Sequence, residues 1–202
     1  MPSVTEGTSR GERTREAILA AATDRFARDG YARTSVADIS RDAGIGATTA
    51  YVHYANKETL FLAAVDADLT ALFGEFGDTL ARLDPDERPA DRILDAVLAT
   101  VAVHPLAERL LAGLEPTFTE RVLESEAFGE LRRAIAELLR IAQTEGNIRP
   151  DVDPAQLADG LVAAVVATAM ASVQIGDRLV DTFGPGFASL LRMALTPDPR
   201  LD

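Results

Sequence analysis

Residues 35–53 read Ser-Val-Ala-Asp-Ile-Ser-Arg-Asp-Ala-Gly-Ile-Gly-Ala-Thr-Thr-Ala-Tyr-Val-His, and this stretch decides how the rest of the chain is read. Ser35 with Asp38 three residues on resembles a capping box, which opens a short helix through about Ala43. Gly44 ends that helix, since a glycine tolerates the positive φ of a tight turn, and the apolar Ile45 turns inward behind it. A second short helix spans about Ala47 to His53. Two short helices joined by such a turn fit a helix-turn-helix, whose second helix must be short enough to lie in a major groove. The periodicity alone fits any pair of short helices joined by a glycine.

Working outward, helical spacing continues in both directions and no alternating strand pattern of useful length occurs. Ile18, Ala22 and Phe26 share one face of a first helix that Gly30 stops. Asn56 caps a long fourth helix running towards Leu83, and the Pro- and Asp-rich segment 83–89 is a turn cluster. Helices follow at about 90–103 and 105–115. Leu131, Ile135, Leu138, Leu139 and Ala142 then form an apolar stripe closed by Gly146. An Ala-rich helix covers Pro154 to about Ile175. A last helix is expected after Gly184-Pro185, with Phe187, Leu190, Leu191, Ala194 and Leu195 on one face. The expected fold is all-α: an N-terminal three-helix helix-turn-helix domain (1–55, with a flexible arm) joined by a long helix to a helical ligand-binding and dimerisation domain (56–202).

The 202 residues carry a net charge of −12, but residues 1–60 hold equal numbers of acidic and basic side chains, so the excess lies in the body. A neutral, Arg-containing head on an acidic body suits a molecule that meets a polyanion with one end only; a solvated acidic surface serving solubility is the plainer alternative. The chain has no Cys, which removes disulfides and thiolate chemistry. His53 and His104 are its only histidines; there is no H-E-x-x-H, and neither has the Glu three residues before it that a di-iron bundle uses. Gly44-x-Gly46 has no third glycine three residues on and follows a helix, so it is no dinucleotide loop. Glu120, Glu124, Glu126 and Glu130 read as a solvated helix face. No catalytic residue, metal site or cofactor is expected. The first 16 residues contain no apolar core, and the longest uncharged run, Gly160 to Gly176, is shorter than the roughly 20 residues a bilayer requires, so a cytoplasmic protein without a membrane span is expected.

From Arg15 to Phe61 the chain is similar to the N-terminal domain of TetR-family transcriptional regulators. The residues that carry the resemblance are Arg15, Ile18, Leu19, Ala21, Ala22, Phe26, Ala27, Gly30, Tyr31, Thr34, Ser35, Val36, Ile39, Ala43, Gly44 and Ile45. It continues, without a gap, through Thr49, Tyr51, His53, Tyr54, Lys57, Glu58, Leu60 and Phe61. The resemblance implies a homodimer whose heads occupy successive major grooves of a double-stranded inverted-repeat operator, with half-site centres about 34–36 Å apart. It also implies release by a small-molecule inducer that enters the body, which makes a repressor the leading reading. An activator, or a ligand-binding protein of the same fold without specific DNA binding, is the alternative.

Carried over residue by residue, Ser35 and the backbone N–H groups from Val36 onward would hold a phosphate, and Lys57, the chain's only lysine, another. Ala47, Thr48, Thr49, Tyr51 and His53 fall where the family meets the operator. Ala37 and Ala47 stand where a long polar reader is common, and Gly46 replaces a common Ser cap. Base hydrogen bonding should therefore be sparse, leaning on Thr48, Thr49, thymine methyls and groove shape. Tyr51 is expected to pack its ring with the hydroxyl outward, and Tyr54 to be core. Arg10, Arg13 and Arg15 are candidates for a minor-groove or phosphate arm before the first helix. By family layout, the two last helices form the dimer, and Thr100, His104, Phe118, Phe128, Thr168, Met170 and Gln174 are candidate contacts for the effector.

Overall fold

In the computed structural model, residues 10–82, 89–176 and 178–195 are described, and their regular structure is helical throughout. Helix α1 (Arg10–Arg33) is broken at Gly30, whose φ of 80° and ψ of 166° only glycine adopts at ease. Because α1 already begins at Arg10, Arg13 and Arg15 belong to its first turns rather than to an extended arm. The remaining proposed arm, residues 1–9, lies outside the described residues.

Helix α2 (Val36–Asp42) begins where the sequence indicates: Ser35 Oγ accepts from the Asp38 N–H at 3.1 Å and donates to the Asp38 carboxylate at 2.6 Å. Gly44 makes the turn at φ 67°, and α3 (Ala47–His53) follows from Gly46 with no side-chain cap. Asn56 caps α4 (Lys57–Ala81) by accepting from the Thr59 N–H at 2.8 Å. Ile18, Ala22 and Phe26 of α1 close on Ile39, Ala50, Leu60 and Phe61, all fully buried, to make the head core. Each large side chain among them stabilises the fold by roughly 1.5–3 kcal/mol through burial.

The body comprises α5 (Pro89–Val101), α6 (Pro105–Leu111), a 3-10 turn (Pro116–Phe118), α7 (Thr119–Leu123), α8 (Glu126–Thr144), α9 (Pro154–Ile175) and α10 (Arg178–Leu195). Two aspartates on α4 organise it. Asp66 accepts from the Ala127 N–H at the start of α8, at 3.1 Å. Asp68 accepts from the Ala107 N–H in the first turn of α6, at 3.0 Å. Helix α4 also supplies Leu60 and Phe61 to the head and Leu69 and Leu72 to the body, so one apolar cluster runs through both.

One expectation needs correction. Helix α10 starts at Arg178, ahead of Gly184-Pro185, and carries Pro185 in its interior. A proline there forfeits one backbone bond, yet the helix continues through it. Helix α9 runs 22 residues, with Pro154 to Asp159 preceding the uncharged run, and its most apolar 18-residue stretch has a mean hydropathy of 1.6, so it is long and apolar enough to cross a membrane by length and composition alone. The core helix of a soluble protein meets the same description, and α9 packs along α8 as well as against α5, α6 and α10.

Candidate nucleic-acid interface

The inward face of α3 is a single residue, Ala50, which is fully buried. Ala47, Thr48, Thr49, Tyr51 and Val52 are exposed, and His53 is half-buried. A helix that exposes nearly all of its surface while resting on α1 and α2 has the shape a groove reader requires. Tyr51 shows about half of its surface, so its ring packs less than the sequence suggests. Tyr54 is core, with the Arg15 guanidinium 5.9 Å from its ring centroid, and burial raises its phenol above the ordinary value. Val52, which the sequence reading passed over, is the most exposed of the large apolar side chains among the described residues, at 79%. The signal was available: with Ala50 facing inward, residues two before and two after it point away at 100° per residue.

At the start of α2 the side chain of Val36 is buried, so only its backbone faces a ligand there. The first N–H groups of a helix have no helical carbonyl to bond, which leaves those of Val36 and Ala37 available by position. The Ser35 hydroxyl, by contrast, is engaged with Asp38. That bond, together with the Arg41 guanidinium 3.0 Å away, holds the Asp38 carboxyl below the usual aspartate range. Asp29 is likewise lowered, by its hydrogen bond from Arg25, which also pairs with Asp42 at 2.9 Å and so ties α1 to the end of α2.

Lys57 occupies the first turn of α4, where the helix dipole disfavours a cation, and the structure explains its place. Its ammonium donates to the carbonyls of Tyr31 at 2.9 Å and Thr34 at 3.1 Å, and sits 4.2 Å from the centroid of the Tyr31 ring. It thus closes the end of α1 onto α4. An ammonium has three N–H groups, so one is left to point elsewhere.

Tyr31 also joins head to body. Its N–H donates to Glu115 Oε1 at 2.9 Å, and the same oxygen accepts from Arg109 Nε at 2.8 Å. Its ring meets Phe118 at 4.7 Å and Phe61 at 5.2 Å, and burial raises its phenol. Phe118 and Phe61 are themselves 4.5 Å apart. The absent side chain of Gly30 is what admits Arg109 and Glu115 so close to the α1 backbone.

Six of the seven effector candidates of the body have intramolecular partners. Phe118 belongs to this aromatic cluster, and Phe128 packs edge-on against Phe73 at 5.1 Å. Buried Thr100 donates to Ala96 O and half-buried Thr168 to Ala164 O, each within its own helix. His104 Nδ1 lies 3.0 Å from Asp68 Oδ1, and its Nε2 lies 3.5 Å from Glu75. Gln174 donates to Leu111 O at 2.8 Å, closing the end of α6 onto α9. Met170 is half-buried on α9. Glu120, Glu124, Glu126 and Glu130 are all exposed. No cluster of three or more His, Asp or Glu side chains suited to a metal ion occurs among the described residues.

A three-helix head presenting an exposed short helix, on a larger helical body, defines a helix-turn-helix DNA-binding protein. The sequence model of the tetR family of bacterial regulatory proteins matches residues 18–64, and that of the C-terminal domain of SbtR-like transcriptional regulators matches residues 84–188. The chain belongs to the TetR family of transcriptional regulators. It is similar to the helix-turn-helix regulator UidR of Escherichia coli K12, 22% identical over 185 residues that span 91% of this chain and 93% of UidR. A TetR-family protein from Rhodococcus sp. superposes with a TM-score of 0.68 at 19% identity, covering 91% of this chain and 99% of that one. Thermus thermophilus FadR, a TetR-family repressor solved in complex with lauroyl-CoA, gives 0.63 at 22% identity, covering 91% and 96%.

Proposed function

We propose that this regulator is a homodimeric repressor that binds an inverted-repeat operator and leaves it when a small molecule enters the body. Residues 1–55 are the reading head and residues 56–202 the effector and dimerisation unit, with α4 shared between them. The observation that carries the reading is the exposure of α3 around its single buried residue, Ala50. In the complex, α3 lies in the major groove with Ala47, Thr48, Thr49, Tyr51 and His53 towards the DNA. The N–H groups at the start of α2, beside Ser35, approach one phosphate, and the third N–H of Lys57 approaches another.

The dimer reading draws support from α9 and α10. Only 22% of the most apolar stretch of α9 is buried within one chain. The small residues Gly160, Ala163 and Ala167 lie exposed along it, while Gly186, Ser189, Leu190 and Met193 lie exposed on α10. Helices with small residues on the surface approach closely, and a second copy would cover this face in a four-helix arrangement. Ligand release draws support from the FadR neighbour solved with lauroyl-CoA and from the part-buried Tyr31–Glu115 connection, which gives the body a direct hold on the head.

Fluorescence anisotropy with DNA flanking the protein's own gene, against scrambled DNA at near-physiological salt, tests the DNA part of this proposal. A preference of about 10³ or more for one fragment is expected. Equal, weak binding to these fragments and to every member of a random duplex pool would overturn it.

A further inference from the structure

We propose that Val52 reads the 5-methyl group of a thymine, so that each operator half-site requires a thymine opposite it. The inference rests on the DNA-binding reading above and specifies its chemistry. At 100° per residue, Thr48 and Val52 stand farthest around α3 from the buried Ala50. Val52 is 79% exposed, above every other large apolar side chain described. The outermost point of the reading helix is therefore an isopropyl group, which in the free protein faces water.

Base readers of the bidentate kind are missing around it. Helix α3 is Ala-Thr-Thr-Ala-Tyr-Val-His, without Arg, Lys, Asn or Gln, the side chains that pair two hydrogen bonds with guanine or adenine. A valine offers neither donor nor acceptor, so it favours a base by apolar contact alone. In the major groove thymine is the base that presents a methyl group, and cytosine at the same place would set a polar amino group against the isopropyl surface. Thr48, one turn before Val52 and 40° from it around the helix, is exposed on the same side and adds its methyl group. Single exposed valines are ordinary on protein surfaces; what distinguishes this one is its place at the outermost point of the groove-reading helix.

The full-length protein is tested on an operator selected from a random duplex pool. Each thymine of the half-site is replaced in turn by uracil, symmetrically in both halves, and binding is read by anisotropy for wild type and Val52→Ala. Wild type should lose about fourfold per half-site at one thymine, the scale of one buried methyl group. Val52→Ala should bind the parent operator more weakly and show no uracil penalty at that position, while penalties at other thymines persist. Helicity measured by circular dichroism should be unchanged, as expected for a residue this exposed. If every uracil penalty is the same in both proteins, or if Val52→Ala binds the parent operator as wild type does, the assignment is wrong. A pool yielding no preferred sequence would instead remove the DNA-binding proposal and this inference with it.

Discussion

Gly30 is the position where the smallest possible change should do the most damage. Its φ of 80° with ψ of 166° lies in a region nearly reserved for glycine, and a β-carbon there costs on the order of 1–3 kcal/mol in backbone strain. The same β-carbon would overlap the Arg109 guanidinium and come 2.9 Å from Glu115 Oε1. The guanidinium is not free to swing away, because Glu115 holds it at 2.8 Å while also accepting the Tyr31 N–H at 2.9 Å. Hydrogen bonds to charged groups contribute roughly 1.5–3 kcal/mol each, so losing one raises the expected cost of Gly30→Ala to about 3–5 kcal/mol. Gly44 is the internal control: its φ of 67° is also left-handed, but a β-carbon there meets nothing within 4 Å. Gly44→Ala should therefore cost only the roughly 1–2 kcal/mol of a left-handed alanine. Urea unfolding followed by far-ultraviolet circular dichroism, at one fixed protein concentration, separates the two. In a Glu115→Ala background the Gly30→Ala penalty should shrink towards the strain alone. Equal costs for Gly30→Ala and Gly44→Ala, or a Gly30→Ala cost below about 1 kcal/mol, would refute the reasoning.

Three further outcomes follow from the same contacts. Lys57→Ala removes two bonds to the Tyr31 and Thr34 carbonyls and should lower stability by on the order of 1–3 kcal/mol in urea unfolding; it should also weaken DNA binding almost uniformly across sequences and reduce the salt slope by about one. Phe118→Ala empties the centre of the Tyr31–Phe61–Phe118 cluster and should cost roughly 3–5 kcal/mol in the same assay. Asp38 and Asp29 have carboxyl groups lowered by their hydrogen bonds, so their contribution is present above the ordinary aspartate value and is lost as pH falls through the lowered one. Urea midpoints should thus decline below about pH 4, and Asp38→Asn should flatten part of that decline.

The head was legible in the sequence because its signals are local. Ser35, Gly44 and Asn56 act on residues within a few positions, and each does in the fold what its chemistry indicates. Ile18, Ala22 and Phe26 announce their buried face by spacing alone. The body was less legible because its decisive contacts span long stretches of chain. Tyr31 meets Glu115 across 84 positions, and Asp68 meets His104 across 36, so no window of sequence could show that these polar groups have protein partners. Local signals can also mislead: Pro185 reads as a helix start but sits inside α10. Lys57 shows both sides. Its motif position pointed to a phosphate, whereas its bonds to Tyr31 and Thr34, 26 and 23 positions away, appear only once the chain is folded.

Hydroxyl-radical footprinting on the fragment the protein prefers is the most direct test of a two-headed reader. Two protected patches of the same sequence, inverted and centred about one helical turn (34–36 Å) apart, are expected, and both should fade together as protein is diluted. A single patch, or two that fill independently, would contradict a dimer that sets one α3 in each of two successive major grooves.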